Sequence, residues 1–220
     1  MPSTPLEDES ELPAAWSSLQ ALLSNCLKHP DEQLRDAVAD GTLAADLETT
    51  MSAVGLEAPP SPPSIAEPDL TEDYESLFGA FRRPFAPPAA SPYKEWYGDG
   101  RSGLMAGPPA TRMERRYDAI EASIPPAYPP DHIALELEYA SLLAESGTTE
   151  DLAAFVETEL DWLDAFEVMV SEAAADAPFY RWCVEVLLTV ITRLRSVLGV
   201  SEPAGPMIDR MTSRVRPNVT

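Results

Sequence analysis

Lysine is almost missing from this chain. Of 220 residues only Lys28 and Lys94 are lysines, and 37 acidic side chains outweigh 15 basic ones, for a formal net charge of −22. Such a surface repels phosphate backbones and anionic headgroups, which argues against nucleic-acid and anionic-membrane binding. Acidity this dense with so little lysine fits a chain from a salt-in halophile. Histidine is as scarce, with His29 and His132 alone, so a closed zinc site lacks imidazoles. The two cysteines, Cys26 and Cys183, lack the spacing of a zinc site or a CxxC pair and fall in apolar helical patterns, as reduced core thiols. No apolar run reaches bilayer length; the most apolar stretch, 182–191, is interrupted by Glu185. The start MPSTPLEDESEL has no positive n-region or apolar run, and the pairs Arg82-Arg83 and Arg115-Arg116 precede no signal-like segment. The expected location is the cytoplasm. There is no GxxxxGK(S/T) phosphate loop and no dinucleotide-binding glycine pattern.

What is present is helical periodicity. With 45% apolar residues the chain can bury a full core. Trp16, Leu19, Leu22, Leu23, Cys26 and Leu27 share one face of a first helix from Leu12 to Leu27, after an acidic tail over 1–11 expected to be disordered. Asp31 caps a short second helix, and a third runs from about Leu43 to Val54 and ends at Gly55. A Pro-rich linker follows over 57–68, then a helix carrying Tyr74, Leu77, Phe78 and Phe81. Residues 83–110 form a long loop rich in proline, glycine and aromatics, a length that points to function or mobility. Four more helices follow, starting near Thr111, at Asp131, at Thr148 or Thr149, and at Pro178. Residues 199–220 read as a flexible tail with several arginines. No segment alternates at strand spacing. The expectation is an all-α, single-domain bundle of about eight helices over 12–198.

One stretch breaks the pattern. Pro129 and Pro130 forbid helix, and Asp131 stands where an N-cap belongs. Yet His132 and Glu136 fall inside the apolar arc of the helix that follows, beside Ile133, Leu135, Leu137 and Tyr139. A carboxylate on a buried face needs a partner or a raised pKa. Glu159 sits likewise in the stripe of Leu152, Phe155, Val156 and Leu163. Three readings stay open for this set: an intrahelical hydrogen bond between His132 and Glu136, carboxylates that fix helix packing, or an acid–base or metal pair of Glu136 and Glu159 with His132.

Pro130-Asp131-His132, with Glu136-Leu137-Glu138-Tyr139 four residues on, resembles the signature of the TorD/DmsD/NarJ chaperones. Asp73-Tyr74-Glu75-Ser76-Leu77-Phe78 is similar to that family's Tyr-x-x-Leu-Phe helix. Pro92-Tyr93-Lys94-Glu95-Trp96-Tyr97 is similar to its Pro-Tyr-x-Ser-x-Tyr loop, with Glu95 in place of serine. Leu104-Met105, Arg115 to Tyr117, Leu160, Trp162-Leu163, Phe166 and Pro178-Phe179-Tyr180 follow in consistent order, so the likeness spans about 12–198. It implies an all-helical protein without enzymatic turnover or a cofactor of its own. The implied partners are a twin-arginine signal peptide and the apo form of a molybdopterin oxidoreductase, whose cofactor loading it assists before export. The implied peptide-binding residues are Leu77, Phe78, Phe81, Tyr93, Trp96, Pro130, Asp131, His132 and Glu136. Where the family often carries a histidine, this chain has Glu159, which puts that residue's role in doubt. Either a monomer or a helix-swapped dimer is compatible with the long Pro-rich linker. A helical adaptor with no preference for twin-arginine peptides is the non-catalytic alternative.

Overall fold

A computed structural model describes residues 11–63, 69–79, 83–173 and 176–219. Phe81, most of the acidic tail and the end of the Pro-rich linker lie outside these. The described residues form ten helices and no strand. They are α1 (Glu11–Cys26), α2 (Glu32–Ala39), α3 (Thr42–Ala53), α4 (Asp69–Phe78), α5 (Pro108–Ala119), α6 (Ile133–Ser146), α7 (Thr149–Glu159), α8 (Leu163–Glu172), α9 (Pro178–Leu198) and α10 (Gly205–Val219). The all-α class is as the periodicity requires.

The local signals act as read at several ends. Asp31 accepts from the Leu34 N–H at 2.8 Å and starts α2. Thr148 and Asp151 close a reciprocal capping box on α7. Gly199 ends α9 with φ 69°, a left-handed conformation that glycine adopts without a Cβ penalty.

Two helices exceed the expected eight. The stripe from Leu152 to Val170 reads as one helix but is broken at Leu160–Trp162. The cause is tertiary. Lys94 Nζ donates to the carbonyls of Thr158 and Glu159, and Arg195 Nη2 donates to that of Leu160 at 2.9 Å. These bonds satisfy the carbonyls that α7 leaves free, so the chain can turn there. The second addition is α10, in the segment expected to be a flexible tail. Met207, Met211, Val215 and Val219 recur every four residues, and the last three are buried. That stripe is a helix signal hidden among arginines. In addition, α5 begins at Pro108, three residues before Thr111, with proline in its first turn.

The core pairs α1 with α6 in its most extensive contact, while α9 runs centrally against α1, α4, α7 and α8. Ser17 and Ser141 meet at 3.0 Å across the α1–α6 seam, and Ser24 donates to the Ala134 carbonyl at 2.7 Å. Cys26 and Cys183 are buried free thiols. Burial pushes the Cys183 thiol well above its ordinary pKa, with Cys26 beside it adding to the effect. No helix among the described residues is long and apolar enough to cross a membrane.

Candidate functional site

The 83–107 loop is pinned to the start of α6 by backbone and side chain together. Ala90 N–H donates to the Asp131 carbonyl at 3.0 Å, and Ile133 N–H to the Pro88 carbonyl at 2.9 Å. Ala89 and His132 thereby form an isolated antiparallel bridge. Asp131 completes the attachment: its Oδ2 accepts from both the N–H and the Oγ–H of Ser91, each at 2.6 Å. Asp131 is therefore not the N-cap of α6, as local rules alone suggest. His132 takes that position, its Nδ1 accepting from Ala134 N–H at 3.2 Å. The long-range bonds to Ser91 draw the carboxylate away from the helix end, and the imidazole fills the vacated role.

Ser91 is the hub that the sequence reading missed. Its hydroxyl also accepts from Gly107 N–H at 3.2 Å, and its carbonyl accepts from Trp96 Nε1 at 2.9 Å. Trp96 packs closely against Gly103 and Gly107, where a Cβ would stand 2.6 and 2.4 Å from the indole. Both glycines exist to let backbone meet that ring. The only sequence hint was the position of Ser91 directly before the Pro-Tyr pair.

Behind the loop lies a polar cluster sealed from water. Asp131, Glu136 and His132 are 0, 0 and 2% exposed. Because Nδ1 of His132 is occupied as an acceptor, Nε2 carries the hydrogen and donates to Tyr74 Oη at 3.3 Å. Burial, with Lys28 adding, pulls the His132 pKa down to about 3, so the ring is neutral. Glu136 does not bond to His132. Its Oε2 accepts from Trp162 Nε1 at 2.9 Å, while Oε1 has no hydrogen-bond partner. Burial pushes its carboxyl well above the usual range, partly opposed by Lys94. Burial likewise raises Asp131, against the bonds from Ser91.

Glu159 is a packing carboxylate with three cations around it. Arg112 Nε and Nη2 donate to it at 3.1 and 3.0 Å, Arg116 Nη2 at 3.1 Å, and Lys94 Nζ stands 3.7 Å away. Lys94 is itself buried and pairs with Asp161 at 2.7 Å. Burial alone raises the Glu159 pKa, but the Arg112 bonds and the Lys94 charge hold it below the ordinary value. For Glu159 this geometry is that of a carboxylate that fixes helix packing. Glu159 is saturated by α5 and Lys94, so the acid–base pairing with Glu136 and His132 has no free group at that end. Among the described residues no three His, Cys, Asp or Glu side chains converge as metal ligands.

Of the implied peptide-binding residues, Leu77, Phe78 and Tyr93 are buried with the polar cluster. Tyr74, Phe78, Phe166 and Tyr180 stack edge and face around them, with Tyr93 against Trp162 and Phe166. Trp96 and Pro130 are half-buried. The side chains that do reach solvent are neighbours: Tyr97, Met105 and Leu104 are 79, 66 and 38% exposed.

A family model described as nitrate reductase delta subunit matches residues 7–175, most of the chain. The chain belongs to the nitrate reductase delta subunit family. Delta-family proteins are chaperones of molybdoenzyme maturation, which accords with the resemblance of the Asp131-His132 turn and the aromatic loop. The match takes in α1 to α8 and stops before α9 and α10. Comparison with curated proteins and with solved structures finds no match.

Proposed function

We propose that this delta-family chaperone binds the twin-arginine signal peptide of a molybdopterin-dependent oxidoreductase in the cytoplasm. Holding that peptide delays export while the catalytic subunit folds and receives its cofactor. The observation that carries the reading is the apolar tip of the 83–107 loop, where Trp96, Tyr97, Leu104 and Met105 offer a surface to an apolar segment. Around it is a body at −22, which attracts arginines. Asp131 and His132 support this surface from behind by holding the loop, and Glu136 holds Trp162, against which Tyr93 packs. Leu77, Phe78 and Tyr93 line the aromatic layer beneath, within reach of a peptide that lifts the loop. No covalent step is required.

The test is calorimetric titration of the full chain with a synthetic twin-arginine signal peptide and with a version whose two arginines are glutamines. The expected result is binding of the first and at least roughly tenfold weaker binding of the second, with Met105→Ser weakening the first. Equal affinity for both peptides, or none for either, overturns the reading. Cofactor loading is tested separately, by the molybdenum content of the client subunit co-expressed with and without this chain.

A further inference from the structure

Helix α10 combines arginines with an apolar stripe. Arg210, Arg214 and Arg216 alternate with a buried apolar stripe of Met211, Val215 and Val219. Two of these arginines, Arg214 and Arg216, are held by named acceptors. Arg214 donates through Nη1 to the Tyr93 carbonyl at 3.1 Å, through Nε to the Gly100 carbonyl at 3.3 Å, and through Nη2 to Glu95 at 3.2 Å. Arg216 forms a bidentate pair with Glu172 at the end of α8, at 2.6 and 3.0 Å. The apolar stripe rests on α8. The surface under α10 thus offers two carboxylates and two carbonyls beside an apolar floor, and its carbonyls come from the loop that carries Trp96 and Tyr97.

The seat of α10 is not sealed. An open cleft of about 670 Å³ at its outer edge is lined by Arg101 and Ser102 of the loop and by Asp209, Arg210 and Ser213 of α10. The Arg216–Glu172 pair is more than two-fifths exposed on both sides, and such pairs are weak. A segment whose last arginine pair is exposed and whose outer edge borders an open cleft can be displaced by another with the same chemistry.

We infer that α10 is a built-in stand-in for the client, seated where an arginine-bearing apolar segment of that client docks on α8 and residues 93–100. The inference rests on the proposed function for the chemistry of the client segment. It adds the location of the docking face and a regulatory consequence: the chain competes with its client for that face. The apparent client affinity is then lowered by the fraction of molecules with α10 seated. An arginine-poor apolar peptide, lacking partners for Glu95 and Glu172, does not displace it.

The test uses the full chain and the synthetic twin-arginine signal peptide. Amide hydrogen exchange is followed over 207–219 in the parent with and without peptide. Affinity is measured for the parent and for the double variant Arg214→Ala/Arg216→Ala. The expected result is faster exchange over α10 when peptide is bound, and peptide binding tighter by roughly three- to tenfold in the double variant. Peptide binding that leaves α10 exchange unchanged overturns the inference and leaves the proposed function standing. The exchange measurement on the parent decides the matter even if the variant folds poorly. Absence of peptide binding in both proteins overturns the proposed function and this inference with it.

Discussion

Ser91 and Asp131 are joined twice, by the serine N–H and hydroxyl converging on one carboxylate oxygen at 2.6 Å each. This pair fastens a long aromatic loop to the first turn of a core helix. Hydrogen bonds to a buried charged group are stronger than average, and losing one partner strands the other. Ser91→Ala and Asp131→Ala are each expected to cost about 1–3 kcal/mol in urea unfolding. The double variant should cost less than the sum of the two, because the hydroxyl–carboxylate bond is lost in either single variant and can be lost only once. Additive effects would mean that the two residues do not act as a unit.

His132 gives stability a defined pH dependence. Its folded pKa of about 3 lies below the unfolded value near 6.5. Between these values the unfolded chain binds the extra proton. The neutral ring's contribution is therefore complete above about pH 6.5 and is lost as pH falls toward 3, at up to about 1.4 kcal/mol per pH unit. Unfolding free energies of the parent and of His132→Gln, compared across that window, should converge as pH falls. A constant difference would refute the assignment.

Glu136 has the opposite sign. Its carboxyl is raised by burial, so the folded chain keeps a proton that the unfolded chain has released. Stability from this residue is present below the ordinary carboxylate pKa and declines as pH rises from there toward the raised folded value. Glu136→Gln keeps an acceptor for Trp162 Nε1 and removes the titration. The variant should gain on the parent as pH increases, read as a growing shift in the urea midpoint. A gap that does not change with pH would count against a protonated Glu136.

Glu159→Gln leaves Arg112, Arg116 and buried Lys94 facing each other without their shared counter-charge. The arginines are 42 and 34% exposed at the side chain, so water offsets part of the loss. An expected cost of about 1–3 kcal/mol, measured by denaturant unfolding, follows from losing the charge-assisted bonds of Arg112 and Arg116 to a buried carboxylate, while Lys94 keeps its pair with Asp161. The contact between α5 and the α7–α8 corner should loosen with it, seen as faster amide exchange at Leu160 to Trp162.

Much of the architecture was legible because it depends on spacing. Apolar residues at helical intervals, Asp31 and Thr148 as caps and Gly199 as a stop are local signals, and local backbone geometry obeys them. The family likeness was legible for the same reason, being carried by short ordered motifs. The stripe of α10 was equally local, but it was masked by the arginines between its apolar residues.

Other features were settled by partners far along the chain. By itself the sequence determined an all-helical core, the buried polar set at His132 and Glu136, and the aromatic loop. Only the tertiary structure decided that Asp131 fastens that loop instead of capping α6, since the competing donors come from Ser91, 40 residues away. Only it decided that Lys94 and Arg195 break α7 from α8, and that Arg214 brings α10 onto the same loop. A charged or polar side chain goes to the strongest unsatisfied group within its reach, and which groups come within reach is a property of the folded chain.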